Sequence, residues 1–247
     1  YYGGSGFRIT PEVNRESAAV RFETYSVGEA EKIVVSIAGV GETALALETV
    51  GGKTYGKGSI DIANVHRWDG VDDPYLYEAT AVLYRGGAAV DAVTERFGCR
   101  EFRFDAKEGF FLNGRRYPLH GVSRHQDRLG VGNALTREMH EEDMELILSM
   151  GANSIRLAHY QHDQYFYDLC DEKGIVAWAE IPYITIHMDT GRENTIQQMK
   201  ELITQNYNHA SIVCWALSNE ISLQGVTEDL MENHRILNDL VHEMDRT

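Results

Sequence analysis

Only three cysteines occur in the 247 residues, Cys99, Cys170 and Cys214, and they form no CxxC or Cys/His ligand spacing. That argues against a disulfide framework or a structural metal, and the thiols read as small buried hydrophobes in a reducing compartment. No run of roughly 18 apolar residues is present, so no membrane-spanning helix and no membrane partner are expected. The start, Tyr1-Tyr2, has no basic segment followed by an apolar one, so no signal peptide is visible, and the expected location is the cytoplasm. The sequence does not begin with methionine. Basic residues are scarce: the formal net charge is −15 and no Lys/Arg cluster offsets it. Such a surface repels a phosphate backbone, which argues against nucleic acid as a partner. A neutral polyol is compatible with this charge, although acidity can equally serve solubility alone.

What is present falls into two halves of different period. From Val20 to Phe104, apolar residues alternate in short runs: Val20/Phe22/Thr24, Ile33/Val35/Ile37, Leu45/Leu47 and Tyr75/Tyr77/Ala79/Ala81/Leu83. Turn signals at Val27-Gly28, Gly51-Gly52 and Arg85-Gly86-Gly87 separate them. This is the pattern of an immunoglobulin-like β-sandwich of about 85–100 residues, and no chemistry is evident in it. From about Glu108 strands alternate with helices. Tyr117–Val122, Ser154–Ala158, Ile175–Ala179 and Ser211–Leu217 read as buried strands. Helices follow them, opening at Thr136, at Asp163, around Ile196 and at Thr227. Met144/Ile147/Leu148, Phe166/Leu169/Cys170, Ile196/Met199/Ile203 and Leu237/Leu240/Val241 form the apolar faces, and Gly151 and Lys173-Gly174 end the first two helices.

Four consecutive βα units specify a parallel sheet, doubly wound or barrel. Neither GxGxxG nor GxxxxGK[ST] follows the first strand, which argues against a nucleotide-binding sheet. Polar residues gather instead where strands end, at Arg124/His125, His159/Tyr160, Glu180 and Asn219/Glu220. That is the rim on which a (β/α)8 TIM barrel builds its site. The fold expected is therefore a sandwich over residues 1–104 followed by the first four βα units of a TIM barrel over 105–247. A whole barrel takes about 250 residues, so half of one is expected here, with open strand edges that favour association into a homo-oligomer.

The sharpest local feature is Asn219-Glu220, after the strand that runs into Trp215-Ala216-Leu217-Ser218. A carboxylate at a barrel rim between apolar walls has its pKa raised and can serve as a general acid. A neighbouring carboxamide can bind a sugar 2-hydroxyl as an oxocarbenium ion develops. The dipeptide alone is equally compatible with an ordinary strand-to-helix turn.

Longer motifs add to this. Asn208-His209-Ala210-Ser211-Ile212-Val213-Cys214-Trp215-Ala216-Leu217-Ser218-Asn219-Glu220 resembles the acid/base signature of glycoside hydrolase family 2, N-H-P-S-[IV]-x-x-W-x-x-x-N-E. Asn153–Tyr160, continuing to Asp171–Gly174, resembles its N-x-x-R-x-x-H-Y-P…D-x-x-G signature. Leu112-Asn113-Gly114 with Gly121–His125, and Trp68…Asp73–Tyr77, are similar to two further stretches of that family. The resemblance implies hydrolysis of β-glycosides with retention, with Glu220 as general acid/base and Asn219 as the 2-hydroxyl partner. His125 and His159 would line the sugar subsite. Arg156 would orient a carboxylate through a bidentate pair, with Glu180 as its buttress.

Gly121–Asp127 is more similar to bacterial β-galactosidases than to β-glucuronidases, so a β-galactoside is the substrate expected and a β-glucuronide the enzymatic alternative. The family's nucleophile lies about 90 residues beyond Glu220 at about 30 residues per βα unit, so this chain alone is expected to be inactive. A non-catalytic carbohydrate-binding or assembly module is the reading from another class. Several departures stand out. Gln161 and Ala210 occupy positions where the family has proline. The E-x-H pair that helps some members hold Mg2+ has no match after Glu180, His187 being too displaced, so no cofactor and no metal are expected. Tyr1–Gly6 resembles the tail of the family's sugar-binding jelly roll, but the aromatic-Arg strand that should follow it is not evident.

Overall fold

The structure, a computed structural model, describes residues 2–247; Tyr1, part of the Tyr1–Gly6 stretch above, lies outside them. The chain divides into two compact units. One holds Gly3–Pro118 with Tyr207–Ala210, and the other holds Leu119–Asn206 and Ser211–Thr247 with Tyr2.

The first unit is an antiparallel sandwich. One sheet pairs β1 (Phe7–Asn14), β2 (Ser17–Val27), β6 (Lys53–Ala63) and β5 (Ala46–Val50) in that spatial order. The other pairs β4 (Gly41–Ala44), β3 (Lys32–Ile37), β7 (Tyr77–Arg85) and β8 (Ala88–Phe97). Alternate residues of both sheets, among them Ile9, Val20, Phe22, Val35, Ile37, Ala79 and Phe97, meet in one apolar core. The period-two runs are therefore its inner faces.

Four strands escaped the pattern, the short β4 with β1, β6 and β8. β1 carries Pro11, which only an edge strand accommodates, and it opens on Phe7-Arg8, the aromatic-Arg strand that was not evident in the sequence. β6 hides two of its inward positions as glycines: a Cβ on Gly58 would lie 2.7 Å from Leu45 Cδ2, and one on Gly56 would lie 2.5 Å from Thr24 Oγ1. β8 is mostly exposed, and its inward alternation is short.

The segment between the sandwich and the parallel sheet also differs from expectation. β9 (Phe102–Asp105), β10 (Gly109–Leu112) and β11 (Arg115–Arg116) form a small antiparallel sheet of their own. The first parallel strand is β12 (Gly121–Arg124), not Tyr117–Val122. Tyr117 instead receives the Val71 N–H on its hydroxyl at 3.2 Å, so its apolar ring serves the first unit.

In the second unit β12, β13 (Ser154–Leu157), β14 (Val176–Glu180) and β15 (Ile212–Ala216) lie side by side, parallel, in chain order. Helices α1 (Arg137–Ser149), α2 (Gln164–Lys173) and α3 (Arg192–Asn206) connect them, and α4 (Glu228–Met244) follows β15. A sheet built in strict chain order with right-handed crossovers keeps all its helices on one side, as a barrel does and a doubly wound sheet does not. The helix ends carry the signals that place them. Asp163 accepts the Tyr165 N–H at 2.9 Å, Thr227 accepts that of Leu230, and Gly174 takes the left-handed turn that closes α2. Ile155, Leu157, Ala177 and Ala179 are buried, whereas Ser123, Arg156, Trp178 and Cys214, which stand in register across the four strands, occupy the more open face.

Candidate active site

The open face ends in a polar cluster at the C-terminal ends of β13, β14 and β15. Arg156 and Glu180 project from it because they share the parity of Trp178 along the ladder. Arg156 Nε donates to Glu180 Oε1, and Arg156 Nη2 donates to Asn219 Oδ1 at 2.7 Å. Glu180 is 1% exposed and also meets His159 Nδ1 through Oε2 at 3.0 Å. Arg156 Nη2 also lies 3.2 Å from that Nδ1, so both partners face the same ring nitrogen and Nε2 is the ring's remaining polar atom. Likewise, the Asn219 carbonyl is taken by Arg156, which orients the amide so that its NH2 group is the part left for a ligand. One guanidinium thereby sets the orientation of three neighbours. The His159 ring stands edge-on to that of His125, 4.9 Å between centroids.

Asn219 is held by its backbone as well. Its N–H donates to Tyr183 O at 3.0 Å and its carbonyl accepts from Thr185 N at 3.0 Å, a parallel bridge opposite Ile184. The preceding Ser218 hydroxyl donates to His234 Nε2 at 2.8 Å, since His234 Nδ1 is committed to the Leu230 carbonyl. Glu220 then sits at φ +50°, in the left-handed region that a non-glycine residue enters only when its surroundings compel it. Its side chain is exposed, and among the described residues no hydrogen bond or ion pair holds the carboxylate. The apolar walls expected around it are not supplied by these residues.

Every site residue proposed from the sequence thus falls in one neighbourhood except in one respect. Arg124, placed on the rim with His125, turns to the opposite side of the sheet and is buried against α1 and α2. Tyr160, noted on the rim, and Tyr183 and Asp229 were given no role from the sequence. Tyr160 receives the Gln126 N–H on its hydroxyl at 3.0 Å, tying the segment of His125 to that of His159. Tyr183 and Asp229 hold His187 between them, His187 Nε2 lying 2.7 Å from Asp229 Oδ2, while Arg192 also reaches Asp229. The Asp229 contact spans 42 residues, a separation without a sequence signature. Among the described residues no group of three or more His, Cys, Asp or Glu side chains is arranged to hold a metal ion.

Comparison with known proteins bears on what such a cluster does. Residues 5–100 match the family described as glycosyl hydrolases family 2, and residues 105–247 match its TIM barrel domain. A β-glucuronidase of Bacteroides fragilis is 47% identical over 189 residues, covering 73% of this chain and 27% of that protein. A β-galactosidase of Thermoanaerobacterium thermosulfurigenes is 33% identical over 190 residues, covering 76% of this chain and 25% of that protein. The crystal structure of an FMN-binding β-glucuronidase from Facaelibacterium prausnitzii L2-6 superposes on the whole chain with a TM-score of 0.92 at 38% identity, the match covering 39% of that chain. The match therefore spans a quarter to two-fifths of the length of these three proteins.

Proposed function

The chain belongs to glycosyl hydrolases family 2, and we propose that it supplies the acid/base half of a retaining β-glycosidase whose substrate is a β-glucuronide. The observation that carries this reading is the Arg156 cluster. It fixes Asn219 with its amide donors unspent, directly before a carboxylate that is held in an uncommon backbone conformation and left without a partner.

In the proposed reaction Glu220 gives its proton to the glycosidic oxygen as that bond to the anomeric carbon breaks. A carboxylate from elsewhere in the barrel attacks the anomeric carbon and forms a glycosyl ester. Glu220, now ionised, takes a proton from water, whose oxygen displaces the ester and regenerates both carboxyl groups. Asn219 would donate to the 2-hydroxyl, where a hydrogen bond strengthens as positive charge develops on the ring. His125 and His159 would border the same sugar. Glu180 is unsuited to the nucleophile's role, because it is buried and both of its oxygens are engaged by Arg156 and His159.

The choice of sugar departs from the β-galactoside expected from Gly121–Asp127. The higher identity is to a β-glucuronidase, 47% against 33% for the β-galactosidase, and this supports the uronide. The test uses the complete polypeptide that carries this sequence, assayed on aryl β-glucuronide and aryl β-galactoside. A higher kcat/KM on the glucuronide, with Glu220→Gln lowering it by about 100-fold or more, the lower end of what a general acid contributes, is the expected outcome. A preference for the galactoside would overturn the sugar assignment, and unimpaired turnover in Glu220→Gln would overturn the role of Glu220.

A further inference from the structure

We propose that His162 is a positioning residue for this site: with Arg124 it fixes, from the helix side of the sheet, the two strand ends that present His125 and His159. The inference rests on the glycosidase reading only for the use made of those two histidines. The geometry stands apart from it.

β12 and β13 are paired up to Arg124 and Leu157. The last ladder bond beyond them runs from Ala158 N to Arg124 O at 3.0 Å. Ala158 is fully buried, so its own carbonyl, one step past the ladder, needs a donor. His162 Nε2 supplies it at 3.0 Å. The other ring nitrogen, Nδ1, lies 3.1 Å from Arg124 Nη1. A guanidinium only donates, so Nδ1 must accept, and the proton sits on Nε2, where the Ala158 carbonyl needs it. Both backbone groups of Ala158 are thereby held by one Arg–His pair, and the residue that follows is His159. Arg124 in turn immediately precedes His125.

The pair is itself anchored. Arg124 donates through Nε and Nη2 to Asp143 Oδ2 at 2.9 and 2.7 Å, and through Nη2 to His140 Nδ1 at 3.1 Å. Its guanidinium lies 3.9 Å from the centre of the Phe166 ring. Arg128 adds a bond to Asp143 Oδ1 at 3.2 Å. Around His162 stand Arg124 from β12, His125 just after it, His140 from α1, the Tyr160 ring, and the Phe166 ring and Tyr167 hydroxyl from α2. In the same register row as Arg124 the next two strands carry Leu157 and Ala179, both fully buried, and β15 carries the partly exposed Trp215. An apolar pair would fill this layer without the desolvation penalty of a buried guanidinium. A polar pair here has a specific use: it delivers one directed N–H to the carbonyl beneath His159.

The experiment is long-range 1H–15N spectroscopy of the complete polypeptide that carries this sequence, labelled with 15N-histidine, between pH 8 and pH 5. The unmodified chain should show His162 with its proton on Nε2 and an unprotonated Nδ1 throughout that range. His162→Phe, which keeps the ring but no polar atom, should shift the ring signals of both His125 and His159. His162→Gln offers one acceptor and one donor, and should return them towards their original positions. A proton on His162 Nδ1 overturns the proposal, as do His125 and His159 signals unmoved by His162→Phe, or Gln and Phe variants that perturb them alike. Should the Phe chain fail to fold, the tautomer of the unmodified chain still decides. Added glucuronide that leaves His125 and His159 unmoved would count against the glycosidase reading, with the positioning role untouched.

Discussion

The two units treat polarity in opposite ways. In the sandwich, Thr24 and Thr54 are the polar side chains that the described residues bury, and charged pairs such as Arg21–Glu12 lie on the surface. In the βα unit, Arg124, His140, His162, Asp171, Glu180 and Asn233 are all buried with the apolar core. Buried polar groups are costly unless their partners are in place. A unit that keeps so many is organised around directed hydrogen bonds, whereas the sandwich is organised around area and shape. Function belongs with the first kind, because only directed bonds hold a carboxylate or an amide in one orientation.

The largest test of that contrast sets two substitutions of similar cost side by side. Phe22→Ala opens a cavity in the sandwich core, and Arg156→Ala leaves the buried Glu180 carboxylate without its cation. Each should lower the unfolding free energy by about 3–5 kcal/mol, read from urea denaturation. Calorimetric titration with a glucuronide should separate them, the Phe22 variant retaining binding while folded and the Arg156 variant losing it. Loss of binding in both would show that stability, not orientation, governs the site.

A somewhat smaller effect should come from acid. Burial, reinforced by the charges of Arg124, His125 and His140 and opposed by the Ala158 carbonyl, pushes the His162 pKa down to about 4 from its ordinary 6.5. His140 is shifted in the same direction by burial and Arg124. Below pH 6.5 the unfolded chain binds protons that the folded chain refuses, so stability is complete above that pH and declines as pH falls towards 4. For His162 the whole effect is about 3 kcal/mol at 1.36 kcal/mol per pKa unit. His162→Gln should flatten that limb of a stability-against-pH curve, and an unchanged slope would remove His162 as its source.

The smallest effect is expected on the sandwich surface. Arg21→Ala breaks an exposed pair with Glu12 and should cost no more than about 1 kcal/mol, less in high salt. A larger loss would mean that the sandwich too depends on placed charge.

Much of this architecture was legible without coordinates. Alternation marked β2, β3 and β7, because an inner sandwich face must be apolar at every second residue. Asp163 and Gly174 bounded α2, because each supplies a bond or a backbone conformation that a helix end requires. β6 was hidden because two of its inward positions, Gly56 and Gly58, are glycines, which carry no hydrophobic signal and leave only Ile60 and Ile62 to show the alternation. Asn219-Glu220 and Arg156 were found because strand ends and motif spacing are local properties of the chain.

What sequence could not decide was which way each side chain faces and what it meets. Arg124 and Arg156 both lie within short strands and look alike in the sequence. One is buried among helices, while the other holds Glu180 and Asn219 on the open face. A strand turns alternate side chains to opposite faces, so their difference rests on register against the neighbouring strands. Only the assembled sheet sets that register. The meeting of Tyr183, His187 and Asp229, and the hold of His162 on the carbonyl of Ala158, depend in the same way on helices packing back across the sheet.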